Sequence, residues 1–149
     1  MYKHILIATD GSELADKGLK HGLALAKALG AKVTVVTVTA NEFLSPYAMA
    51  EDVADGINPL EVQRKASAAE ANKILQAASA TAQSVGVDIK TVHIAERPPA
   101  EGIVETALEN NCDLVVMSSH GRRGVQRLLL GSQTSEVVAT ISIPVLVVR

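Results

Sequence analysis

The chain has 149 residues, with 14 Lys+Arg against 16 Asp+Glu, 48% hydrophobic residues and 2% aromatic ones. That length suits a single domain, 1–149, able to bury a full core without disulfides or a structural metal. A formal charge of -2 removes the electrostatic footprint of a non-specific nucleic-acid binder, and Tyr2, Phe43 and Tyr47 are too few to stack single-stranded bases.

Cys112 stands alone, which excludes an internal disulfide framework and a thiolate zinc site. No stretch approaches the ~20 apolar residues that span a bilayer. Ile5-Leu6-Ile7-Ala8 meets Asp10 at once, unlike an export signal. These features lead us to expect a soluble, cytoplasmic protein with neither a membrane nor a nucleic-acid partner.

Taken in order, short apolar runs alternate with helical patterns. His4 to Thr9 reads as a strand covered on both faces. Asp10-Gly11-Ser12 breaks it; Ser12 can cap a helix in which Leu19, Leu23, Ala26 and Leu29 recur at helical spacing, and Gly30 stops that helix. Val33 to Val38 is a second strand, rich in β-branched residues. From Thr39 to Ile57 the pattern dissolves, and we expect an irregular, mobile stretch. Its apolar residues Phe43, Pro46, Tyr47 and Met49 would partly cover one side of a ligand site or pack on a partner subunit.

Asn58, Pro59 and Glu61 announce the next helix as cap, first residue and reciprocal cap, with an end near Gly86. Val87 to Ile94 is a third strand. Pro98-Pro99 opens a helix expected to bury Ile103, Ala107 and Leu108. Asp113 to Met117 is a fourth strand. Gly131-Ser132 opens a helix through Val137, Val138 and Ile141, and Pro144 to Val148 is a fifth strand. Such alternation predicts an α/β fold: an open, doubly wound, five-stranded parallel sheet with helices on both faces. Ligands of such sheets bind beyond the carboxyl ends of the strands, where the winding reverses.

The segment after the fourth strand is the richest in chemistry. It holds Gly121, Gly124 and Gly131, the arginines 122, 123 and 127, and hydroxyls at Ser118, Ser119, Ser132, Thr134 and Ser135. Glycine admits an anion close to backbone amides, and the helix start at Gly131-Ser132-Gln133-Thr134 offers free N–H groups and a positive dipole end. The plainer alternative is a solvated turn with Ser132 as an ordinary cap. Neither a G-x-G-x-x-G after a strand nor a G-x-x-x-x-G-K-[ST] occurs, which excludes a dinucleotide dehydrogenase and a Walker-type hydrolase.

Ser118-Ser119-His120-Gly121, nine residues, then Gly131-Ser132 resembles the G-x-x-G, nine residues, G-[S/T] signature of the universal stress protein family. The opening Ile7 to Ser12, the strand Leu114 to Met117 and the closing Pro144 to Arg149 are similar to the same family. One departure stands out: Ser118 occupies the place of the first signature glycine.

The resemblance implies ATP or AMP as ligand, with Mg or Mn carried in on the phosphates. It places Ala8, Thr9 and Asp10 along one side of the site, Val38 at the adenine edge and Met117 against the nucleoside. Ser118, Gly121, Gly131, Ser132, Gln133 and Thr134 would hold the phosphates through their amides, with the hydroxyls of Ser132 and Thr134 assisting. It also implies a homodimer through the C-terminal strand 144–149, a reading that an unpaired strand edge there would share.

Each position has a plainer reading. Asp10 can close a side-chain turn with Ser12, Val38 and Met117 can be core, and a turn histidine such as His120 is usually solvated. Cys112 reads as buried and inert, and His4, His21 and His93 lack metal-ligand spacing. The function expected is an adenine-nucleotide-binding stress-response or regulatory dimer, with no catalytic set. The alternatives are a slow ATP hydrolase assisted by Asp10 and a nucleotide-free interaction module of the same fold.

Overall fold

The computed structural model describes residues 1–41, 45–121 and 130–149. Its elements are β1 (His4–Ala8), α1 (Glu13–Leu29), β2 (Lys32–Thr39), α2 (Pro46–Ala54), α3 (Pro59–Ser84), β3 (Ile89–Ala95), α4 (Pro99–Glu109), β4 (Leu114–Ser118), α5 (Ser132–Thr140) and β5 (Val145–Val148). The strands form one sheet in the order β3-β2-β1-β4-β5, and every pair is parallel.

A buried parallel strand must be apolar on both sides of its pleat, and β1 shows why. Ile5 and Ile7 face α1 and α3, where Leu19, Leu23, Ala26, Leu75, Ala78 and Ala82 meet them. Leu6 and Ala8 point the other way, onto Ala100, Ile103 and Ala107 of α4 and Val137 of α5. Two helices therefore cover each face.

Local chemistry marks most of the boundaries. The Ser12 hydroxyl accepts the Ala15 amide and caps α1, while Gly30 ends it in the left-handed region with φ 66°. The Asn58 side chain accepts the amides of Leu60 and Glu61 ahead of Pro59. The reciprocal bond expected from Glu61 is replaced by an ion pair with Lys65, one turn on.

Several expectations change. Pro46 to Ala54, read as irregular, is helical. Tyr47 is 75% exposed and Val53 65%, so α2 turns apolar residues outward and leaves no core-facing period in the sequence. Phe43 lies outside the described residues, as does the side chain of Met49. Leu108 and Leu29 are exposed rather than buried. Leu108 follows the buried Ala107 and stands about 100° round the helix from it. β1 closes at Ala8, although the Thr9 amide still donates to the Val36 carbonyl, and β3 begins at Ile89.

The winding reverses between β1 and β4. The chain leaving β1 rises to α1 on one face of the sheet, and α5, which follows β4, packs with α4 on the other. The two connections part there and leave a crevice over the carboxyl ends of the central strands. Among the described residues β5 pairs only with β4 and forms a sheet edge. Among the described residues no helix is long and apolar enough to cross a membrane.

Candidate functional site

The crevice is built from strands of unequal reach. Ala8 of β1 pairs with Val36, so β2 runs on through Val38 and Thr39 as a wall beside the end of β1. Ala8, Thr9 and Met117 are buried where these strands end, Ala8 and Met117 within the core on the α4–α5 side. Val38 is half-buried against the α4–α5 side of the core. Its side chain is therefore core, and only its place at the rim leaves it near a ligand.

Asp10 makes the turn foreseen with Ser12: the Ser12 amide donates to Oδ1 at 2.9 Å. Its other oxygen reaches across to the loop after β4. A Cβ on Gly121 would lie 2.9 Å from Asp10 Oδ2, so any larger residue here would push the Asp10 carboxylate aside. Thr9 supports the turn by accepting the Gly11 amide on its hydroxyl.

The loop leaving β4 is tied down at both described ends. Ser118 is buried, and its hydroxyl donates to the His120 carbonyl at 2.8 Å. The Cβ at this signature position is thus turned into the loop and held there. The Ser119 amide donates to Val148 of β5 at 2.8 Å. The Ser119 carbonyl accepts the Gly131 amide at 2.7 Å, which joins the start of the loop to its end. A Cβ on Gly131 would stand 3.1 Å from that same carbonyl and 3.4 Å from His120 Cα, so glycine lets the closure form without displacing either by the few tenths of an ångström a side chain would demand. The arginines 122, 123 and 127 and Gly124 lie outside the described residues.

The N-cap of α5 is Gly131, not Ser132, and among the described residues no side chain caps this helix. Its first intrahelical bond runs from Ser135 N to the Gly131 carbonyl. The amides of the first turn are the unsatisfied donors found at any helix start, here without the usual side-chain acceptor. Ser132 is exposed at this end. The Thr134 hydroxyl is buried and donates to the Ser118 carbonyl at 2.9 Å, so its proton is committed to joining α5 to β4.

Two features escaped the sequence reading. Gln133 sends its Oε1 to the Ala100 amide at 2.9 Å and so caps α4, whose own N-cap, Pro98, makes no side-chain bond. His120, expected in solvent, is half-buried. Its Nδ1 lies 3.1 Å from the Ser119 hydroxyl, and its Nε2 is buried without any partner. The signal for the first is 33 residues of separation away, and for the second there is none in composition.

Cys112 is 6% exposed, and burial together with the Asp113 charge, partly offset by Lys90, pushes its thiol up to about 11. It is inert at neutral pH, as expected. His4 and His93 each bond a threonine hydroxyl through Nε2, and His21 Nδ1 meets the Lys17 carbonyl. Among the described residues no three His, Cys, Asp or Glu side chains gather as metal ligands.

Residues 1–149 match a model described as the universal stress protein family. The chain belongs to that family. It is 34% identical to universal stress protein MJ0531 of Methanocaldococcus jannaschii over 151 residues, covering all of this chain and 83% of that protein. The solved structure of MJ0577, a universal stress protein of the same organism, superposes with a TM-score of 0.79 at 30% identity, over 99% of this chain and 96% of that one. A universal stress protein solved in complex with cAMP shares the fold at 24% identity, with a TM-score of 0.68 and 99% and 97% of the two chains covered.

Proposed function

We propose that this chain binds an adenine nucleotide, ATP or AMP, in the crevice between β1 and β4 and acts as a dimeric stress-response regulator. The observation that supports this most is the start of α5. Among the described residues its amides have no side-chain acceptor, and they open directly from the glycine closure whose spacing matches the family signature. A phosphate supplies the missing acceptor and the negative charge that this helix end favours.

The residues present suit such a ligand. Ser132, Gln133 and Thr134 offer amides, Gly121 and Gly131 keep the loop close, and Ser118 is folded out of the way by its bond to His120. Ala8, Thr9 and Met117 would supply the floor, and the rim at Val38 the adenine side. Asp10 lies beside the loop after β4 and would be the residue to hold a Mg or Mn ion brought in with the phosphates, which would supply positive charge to offset theirs. We read the protein as a binder; any hydrolysis would be slow and would run through Asp10.

The dimer is proposed to form through 144–149. β5 presents one unpaired edge, and Leu146 on it is exposed. Light scattering across a concentration series tests this, and a monomer throughout would refute it.

The nucleotide reading is tested by titration calorimetry with ATP and AMP, alongside mass spectrometry of small molecules released from the purified protein. Saturable heat or co-purified adenylate supports it. No heat, no thermal stabilisation and no adenylate would overturn it.

A further inference from the structure

Among the described residues, His120 Nε2 is a buried side-chain polar atom without a hydrogen-bond partner. Folded proteins rarely leave such an atom, because its lost hydration costs about 1–3 kcal/mol. The neighbouring bonds tell which form it takes. Ser119 is 3% exposed, and among the described residues the partner of its hydroxyl is His120 Nδ1, at 3.1 Å.

If Nδ1 carried the proton, the serine hydroxyl would accept it. The serine proton and the Nε2 lone pair would then both be left unmatched. If the serine donates to Nδ1 instead, the proton sits on Nε2 and only that N–H is unmatched. The second arrangement leaves fewer groups orphaned. The orphan is thus a donor, and what it lacks is an acceptor.

Its position says where that acceptor sits. His120 Cδ2, the ring atom bonded to Nε2, is 3.6 Å from where a Cβ on Gly131 would stand. The ring edge that carries Nε2 thus stands next to the residue that opens α5, a helix whose N-cap supplies no side-chain acceptor.

We propose that His120 is a specificity-determining residue that donates its Nε2–H to a phosphate oxygen of the nucleotide, so that the site distinguishes phosphorylated adenosine from adenosine itself. This rests on the nucleotide reading above. Ser119 acts as a positioning residue: it holds Nδ1 and thereby keeps the proton on Nε2. The cost of the orphan in the free protein is recovered when phosphate arrives, so the bond favours nucleotides over the nucleoside.

The experiment compares wild type, His120→Phe and His120→Gln in calorimetric titrations with ATP, AMP and adenosine. Nitrogen-15 spectra of the wild-type imidazole are recorded with and without ATP. His120→Phe is expected to weaken ATP and AMP about 10- to 100-fold, the range for a hydrogen bond to a charged acceptor, and to leave adenosine within about twofold. His120→Gln, which retains an N–H at similar reach, recovers part of that loss.

In the wild-type spectra the proton is on Nε2 before ligand is added, and its resonance moves with ATP and not with adenosine. The proposal is overturned if wild type binds ATP and His120→Phe binds it equally well, or if the spectra place the proton on Nδ1. Absence of any ATP or AMP binding by wild type removes the nucleotide reading itself and this proposal with it. The spectra need no variant, so a misfolded His120→Phe does not shield the idea.

Discussion

At the amino ends of the strands, polar groups meet partners. Asp113, just before β4, accepts the Lys3 amide at 2.8 Å and the His4 amide at 3.0 Å, and its own amide donates to the His4 carbonyl. Lys27 Nζ donates to the Val85 carbonyl at the end of α3, and Lys90 Nζ to Asn110 Oδ1 at the end of α4. A groove of about 600 Å³ opens here, yet two of its lysines are already engaged with these helix ends. At the carboxyl ends many groups are paired too, but among the described residues α5 starts without a side-chain cap and His120 Nε2 is buried with nothing to bond. One end spends its polar groups on holding strands in register, whereas the other keeps donors unspent where the winding reverses. That division is expected when stability and binding are carried by opposite ends of a parallel sheet.

Substitutions at each end should separate the two properties. Asp113→Ala removes a charged acceptor from two backbone amides and should lower stability by about 1–3 kcal/mol, read by urea denaturation, while nucleotide affinity stays unchanged. Gly131→Ala should do the reverse. Its Cβ meets the Ser119 carbonyl at 3.1 Å, so the loop closure must give way and affinity for ATP should fall about tenfold, near 1.4 kcal/mol. Its midpoint in urea should move less than that of Asp113→Ala. Equal losses of stability and affinity in both variants would erase the contrast.

Gln133 lies at the carboxyl end but is already paired, so it sharpens the comparison. Gln133→Leu leaves the Ala100 amide without its acceptor and should cost about 1 kcal/mol of stability, with a smaller effect on ATP affinity than Gly131→Ala.

Acid provides a further test of the amino end. Burial raises the Asp113 carboxyl, but amide bonds from Lys3, His4 and Asp113 itself, with the His4 charge, outweigh it and hold the group below its ordinary 3.8. A depressed carboxyl contributes stability that is fully present above pH 3.8 and is lost as pH falls through its folded-state value. The stability gap between wild type and Asp113→Asn should therefore close as acid unfolding proceeds below that pH. A gap that widened in acid would contradict the assignment. Leu108→Gln should change stability by no more than about 0.5 kcal/mol, because this leucine is exposed.

Much of this was legible before any coordinates. Local signals act over a few residues, so Ser12, Gly30, Asn58 and Pro59 mark their helix ends where the sequence places them. The buried strands are recognisable because both faces of a parallel sheet demand apolar residues. α2 was missed because Tyr47 and Val53 face outward, and a helix without a buried stripe has no period to read. Leu108 was misjudged because composition does not say which of two adjacent apolar residues faces the sheet. In the site, the glycines and hydroxyls were named from spacing. The commitment of the Thr134 hydroxyl to Ser118 and of the Gln133 amide to Ala100 was not, since each joins residues distant in the chain.

By itself the sequence determined the α/β alternation, the parallel sheet, the family and the segment where a ligand would sit, because periodicity, caps and motif spacing are encoded between near neighbours. The tertiary structure alone decided which donors in that segment are already used and which are left over. Hydrogen-bond satisfaction depends on groups brought together across the whole chain, so the unmatched Nε2 of His120 emerges only when strand, loop and helix are assembled.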